Sequence, residues 1–139
     1  MKPKGLPALS EHSIQSAFVA WCRLNEKRYP GLDLAFAVPN AAKRSMGLAM
    51  RMRKEGLRAG VPDWWLPVPR HGWTNYTVVG ERTVTFVAGI VIEFKSGKGR
   101  LSKEQAAYMK RLESECWQVH VCRSTEEAIK VVKSYYGES

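Results

Sequence analysis

GIVIEFKSGKG, residues 89–99, is an apolar, β-branched run that carries an acid and a base toward its end. Successive side chains on a strand alternate faces, so Glu93 and Lys95 share one side while Ile92 and Phe94 share the other, toward a core. Taken alone, two opposite charges at a strand end are an ordinary solvated face. The picture changes when GVPDWWLPV, residues 60–68, is set beside it. Its Asp63 follows a proline, which by itself is common turn chemistry at a strand start. Yet in a small sheet neighbouring strands lie about 4.8 Å apart, so two carboxylates and an ammonium can meet at one sheet end. That group of side chains suits a hard divalent cation. Mg²⁺ takes a few carboxylates and keeps its other positions for water and substrate phosphate, and Mn²⁺ is expected to substitute for it. The implied chemistry is metal-assisted phosphodiester hydrolysis, with Lys95 orienting the water or offsetting charge on phosphorus.

Composition is compatible with that chemistry. The chain has 139 residues, the size of one domain, with 45% hydrophobic and 25% charged residues, which is ordinary globular usage. Its 22 lysines and arginines against 13 acids leave a net charge of +9, which points to a polyanionic partner. Nucleic acid ranks above membrane because no basic amphipathic segment carries a large aromatic face. Cys22, Cys116 and Cys122 form no CxxC and cannot all pair, so reduced, buried thiols are expected. His12, His71 and His120 are scattered, and His120 lies in the apolar run WQVHVC, where a core or strand histidine is the usual case. The opening MKPKGLPAL is basic without the apolar stretch of a signal peptide, and no segment is long enough to cross a bilayer. A cytoplasmic protein is expected.

Along the chain, Ile14, Phe18, Trp21 and Cys22 recur at helical spacing behind Ser10, a plausible N-cap. LDLAFAV reads as a short strand stopped by Pro39, and AAKRSMGLAMRMRKEGL as a helix ending near Gly56 or Gly60. After the Asp63 strand comes a polar stretch, RHGWTNY. The β-branched run from Tyr76 to Lys95 reads as a hairpin turning at Gly80-Glu81 into one long strand. SKEQAAYMKRLESE is helical, WQVHVC a strand, and STEEAIKVVKSYY a closing helix capped by Ser124. The pattern is α/β, one domain over residues 1–139, with no repeat or linker.

At this point the chain resembles a family. GVPD followed by IEFK is similar to the PD-(D/E)XK nuclease signature, and SEHSIQ, EGLRAGVPD, IEFKSGKGRLSKEQ and VHVCRSTEEA follow in the order and spacing of the virus-type replication-repair nuclease (VRR-NUC) family. The resemblance runs from about Ser10 to Ala128. It implies a restriction-endonuclease-like core, a mixed central sheet flanked by helices. It implies that Asp63, Glu93 and the backbone carbonyl of Phe94 hold the metal, and that Lys95 is the catalytic lysine. Glu11 matches the family's helix-borne acid, with Gln15 one turn along the same face, and Gln105 matches its glutamine after the lysine. Each has a competing explanation: Glu11 complements the helix dipole, and Ser102 with Gln105 fits a capping box. The segment between Asp63 and Glu93 is long for a compact member. Small stand-alone members imply homodimers that nick branched DNA, four-way junctions above all, and a two-fold dimer presents two sites to two symmetric strands.

Two further features bear on the substrate. On a helical wheel Lys43, Arg44, Arg51, Lys54 and Arg58 share an arc of roughly 100°, Ala42, Met46, Ala49 and Leu57 gather on another side, and Arg53 falls among the apolar positions. With Lys98 and Arg100 they form a candidate DNA track. Trp64 and Trp65 must face opposite sides of a strand, which leaves one available for a dimer contact or DNA stacking. Charge fits DNA and RNA alike. It also fits a non-catalytic nucleic-acid-binding module, although such a module has no need to hold Glu11, Asp63 and Glu93 beside a phosphate path.

Overall fold

The computed structural model describes residue 5 and residues 8–40, 44–74 and 83–138. Helix α1 (Glu11–Leu24) starts where the Ser10 side chain accepts the Ser13 N–H at 3.1 Å. Ile14, Phe18 and Cys22, spaced four apart, turn its apolar stripe inward. A short 3₁₀ turn (Leu32–Leu34) leads to β1 (Phe36–Ala37). The strand expected over LDLAFAV is thus only two residues long, and both are exposed at the sheet edge. Helix α2 spans Met46–Lys54 behind a Ser45 N-cap, and Arg44 and Arg58 lie outside it. Met46, placed on the apolar side of the wheel, is 81% exposed, because the helix is anchored by Ala49 and few other side chains.

Strands β2 (Trp64–Leu66), β5 (Gly89–Phe94) and β6 (Trp117–Cys122) complete a four-stranded sheet in the order β1-β2-β5-β6. β1 and β5 run antiparallel to β2, and β6 runs parallel to β5. The sheet is therefore mixed, with helices against it, as expected. A parallel neighbour needs a crossover, supplied by α3 (Lys103–Ser114) between β5 and β6. Helix α4 (Thr125–Tyr135), capped by Ser124, packs beside α1 on the other face.

All six residues of β5 are buried, so this strand is covered on both faces. Its Ile90, Ile92 and Phe94 join Trp64, Leu66, Phe18 and Val132 in the main core. The Phe18 ring meets Trp64 edge-on at 4.8 Å and Phe94 at 5.6 Å. Truncating Phe18 to alanine would cost about 3–5 kcal/mol. Gly89 starts the strand because an added Cβ would collide with the Leu66 carbonyl and the Trp117 ring.

Three expectations need correction. The single long strand is divided at Ala88: β4 (Thr83–Val87) pairs antiparallel with β3 (Arg70–Thr74) in a separate two-stranded sheet. The polar stretch RHGWTNY therefore contributes a strand, where cross-strand pairing such as His71 against Phe86, 5.1 Å between rings, outweighs weak local propensity. The proposed turn at Gly80-Glu81 lies outside the described residues. Finally, Cys22 and Cys122 are buried free thiols, but Cys116 is exposed, since it sits in the α3–β6 turn at a φ of 67°. Among the described residues no helix is long and apolar enough to cross a membrane.

Candidate active site

The register of the β2–β5 ladder pairs Trp64 with Ile92, so one step beyond it Asp63 comes opposite Glu93. There the Asp63 Oδ2 accepts the Phe94 N–H at 2.8 Å. Asp63 is thus tied to the strand that carries the second acid. Gly60 makes the approach feasible: its φ of +81° is left-handed, and a Cβ would lie 2.5 Å from the backbone of Glu104 at the start of α3. The close packing of this segment on α3 also places Asp63 near Gln105.

Glu93 faces α3, away from the main core, and is 3% exposed. A solvated face is therefore ruled out for this acid. Its Oε1 accepts from Gln105 Nε2 at 2.7 Å and lies 3.7 Å from the Lys95 Nζ. Its Oε2 is buried with no hydrogen-bond partner. Gln105 meanwhile closes the capping box: its Oε1 accepts the Ser102 N–H at 2.9 Å while the Ser102 hydroxyl accepts the Gln105 N–H at 3.1 Å. Gln105 thus makes two contacts at once, because one end of the amide caps the helix and the other holds Glu93.

Burial pushes the Glu93 carboxyl up to about 8, and the Asp63 charge beside it pushes the same way while Lys95 opposes. Asp63 is raised too, first by burial and further by the Glu11 charge, against the Phe94 N–H and Lys95. A buried carboxylate oxygen with no donor, beside a second carboxylate, is an arrangement that a bound cation would relieve. Among the described residues no three His, Cys, Asp or Glu side chains converge on one point. The chain's own contribution is two carboxylates with the Phe94 carbonyl next to them, a sparse all-oxygen set that fits Mg²⁺ or Mn²⁺ better than zinc.

Asp63 lies where two cavities meet, both of which are also lined by Val38, Pro39 and Asn40. The first, about 410 Å³, is lined by Arg53, Arg58, Lys95, Arg100 and Gln105. The second, about 580 Å³, runs along α1 past Glu11, His12, Gln15, Arg23 and Arg44. The structure thus brings Glu11, Asp63, Glu93, Lys95 and Gln105 into one neighbourhood, together with Arg44, Arg58 and Arg100. Arg51 and Lys54 are exposed on α2 and line neither cavity, and Arg51 makes an exposed ion pair with Glu55 at 3.9 Å. Lys98 is exposed in the turn after Lys95, and Lys43 lies outside the described residues.

Sequence reasoning missed Arg53, Arg23 and Arg123. Arg53 had a signal, since the wheel put it among the apolar positions, apart from the basic stripe, and it lines the first cavity. Arg123 had none: 26 positions away in the chain, its Nη1 donates to the Gly97 carbonyl at 3.1 Å and pins the loop after Lys95. The expectation for the tryptophan pair is met in part. Trp64 is buried, while Trp65 is half-covered, stacked on Phe36 at 6.1 Å with its indole N–H donating to the Pro62 carbonyl.

A model of the VRR-NUC domain matches residues 8–126. A solved structure of a VRR_NUC domain protein is similar in fold, with a TM-score of 0.69 over 96% of this chain and 94% of that one, at 20% sequence identity. No curated protein matches the chain.

Proposed function

This chain belongs to the VRR-NUC family of nucleases, and on that premise we propose that it is a divalent-metal-dependent DNA endonuclease that nicks branched DNA, four-way junctions foremost, as a homodimer. The observation that carries the reading is the buried Glu93, whose Oε2 has no partner while Asp63 and Lys95 stand beside it.

Asp63, Glu93 and the Phe94 carbonyl are the groups that would hold Mg²⁺. Such an ion, when bound, polarises a phosphodiester and acidifies water. The remaining work falls to the chain itself. Gln105 holds Glu93 Oε1, which leaves Oε2 as the free ligand oxygen. Lys95, kept 3.7 Å from Glu93, places an ammonium where it orients the attacking water and offsets charge developing on the phosphoryl oxygens. Hydrolysis joins the water oxygen to phosphorus and breaks the P–O ester bond, and the leaving oxygen takes up a proton. Glu11, which lines the second cavity, raises the Asp63 carboxyl and strengthens the demand for a cation there.

A binding-only domain offers no reason to bury Glu93 against the half-buried Asp63 beside a basic cleft. The preference for junctions rests on symmetry, because a two-fold dimer sets two such clefts against two equivalent strands. Phe36, 48% exposed and stacked on Trp65 at the sheet edge, supplies an aromatic surface suited to such contact. The test is a cleavage assay on duplex, flap, fork and four-way DNA, with Mg²⁺ and with chelator. Mg²⁺-dependent nicks concentrated on the branched substrates are expected, and no cleavage of any substrate would refute the reading.

A further inference from the structure

We infer that the substrate strand crosses Asp63 with its two flanks held in separate lobes, Arg53, Arg58 and Arg100 taking the phosphates on one side of the cut and Arg23 and Arg44 those on the other. The bond cleaved must then have chain on both sides. The inference rests on the nuclease reading of Asp63 and adds to it a division of labour between two groups of arginines.

Three observations support it. Asp63 is common to both cavities, whose unshared walls come from different elements, the start of α3 and the loop after Lys95 in the first and α1 in the second, so a phosphate brought to it borders both. Each cavity is of ligand size and carries its own cations: three arginines with Lys95 against Asp63 and Glu104 in the first, and two arginines against Asp63 and Glu11 in the second. All five arginines are exposed, and none is in an ion pair among the described residues, unlike Arg51 and Arg28. Unpaired guanidiniums on both sides of a carboxylate site are what a continuous polyanion requires, since each repelling acid must be offset along the strand. An enzyme that gripped a strand end would need such cations on one side only. Arginine forks read backbone phosphate, so the lobes should act on any sequence.

The experiment couples each lobe to one flank. Strands are shortened from one side or the other of the mapped cut, and cleavage and binding are measured for the wild type, Arg53→Ala/Arg58→Ala and Arg23→Ala/Arg44→Ala. Each double variant should lower kcat/KM on the full strand about tenfold or more, and should flatten the salt dependence of binding by about 0.7–0.9 for each phosphate no longer neutralised. Removing one flank should erase the effect of one pair alone, and removing the other flank should erase the effect of the other pair. Two pairs that respond to the same truncation, or to neither, overturn the inference while the wild type still cuts. A wild type that binds but never cuts refutes the nuclease reading instead. The lobes are then judged by the same coupling in binding isotherms, with truncations placed about the centre of the protected footprint. Single Arg53→Gln and Arg23→Gln variants serve if a double variant does not fold.

Discussion

Glu93 carries most of the proposed chemistry, and its environment makes two predictions. Its carboxyl is raised from an ordinary 4.5 to about 8, mainly by burial. The folded protein therefore keeps a proton there that the unfolded chain releases. Such a group favours folding fully below about pH 4.5, and its contribution is lost as pH rises through about 8. In chelator, the melting temperature of the wild type should fall relative to that of Glu93→Gln across this window, and Mg²⁺ should restore the wild type alone. Identical profiles for the two proteins would show that the carboxylate is not strained. Lys95→Ala should leave that Mg²⁺ response intact and slow turnover by about 10²–10³-fold, the usual loss on removing one stabilising group. Undiminished turnover would remove Lys95 from the mechanism.

At the scale of elements, the start of α3 joins stability to the site. Ser102→Ala deletes the cap alone and should cost about 1 kcal/mol of stability with little change in kcat. Gln105→Ala should cost a similar amount and also impair cleavage, because it frees Glu93. Gln105→Glu separates the two roles, since it keeps the capping chemistry but sets a carboxylate against Glu93. Denaturation midpoints and single-turnover rates measured side by side would distinguish them, and equal rates in all three variants would make Gln105 a cap only. What the sequence disclosed is explained by the same local physics. Helices α1, α3 and α4 carry their caps and stripes within a few residues, and β6 is a run of six whose boundaries coincide with WQVHVC. The Asp63–Glu93 pair was legible because both acids stand at strand ends in one small sheet and match a known signature, while the register that joins them is seen only in the structure. The break at Ala88 and the strand at Arg70–Thr74 were not, because they depend on pairing between distant residues. The departure of Arg53 from the basic stripe was written in the wheel, but its meaning needed the cavity it lines.

For the whole molecule, light scattering at micromolar concentration should report a homodimer, and a monomer with and without junction DNA would contradict that part of the account. The central claim is that Asp63 and Glu93 form a metal-dependent cutting site distinct from the basic surface that binds DNA. The most direct measurement follows an end-labelled four-way junction with the wild type, Asp63→Asn and Glu93→Gln, each in Mg²⁺ and in chelator, while binding is recorded on the same samples. Each substitution removes a negative ligand and leaves every phosphate-binding cation in place, so binding should stay near normal or tighten slightly. The account predicts nicks from the wild type in Mg²⁺ and none in the other five samples. Cleavage by either variant at the wild-type rate, or by the wild type in chelator, would contradict it.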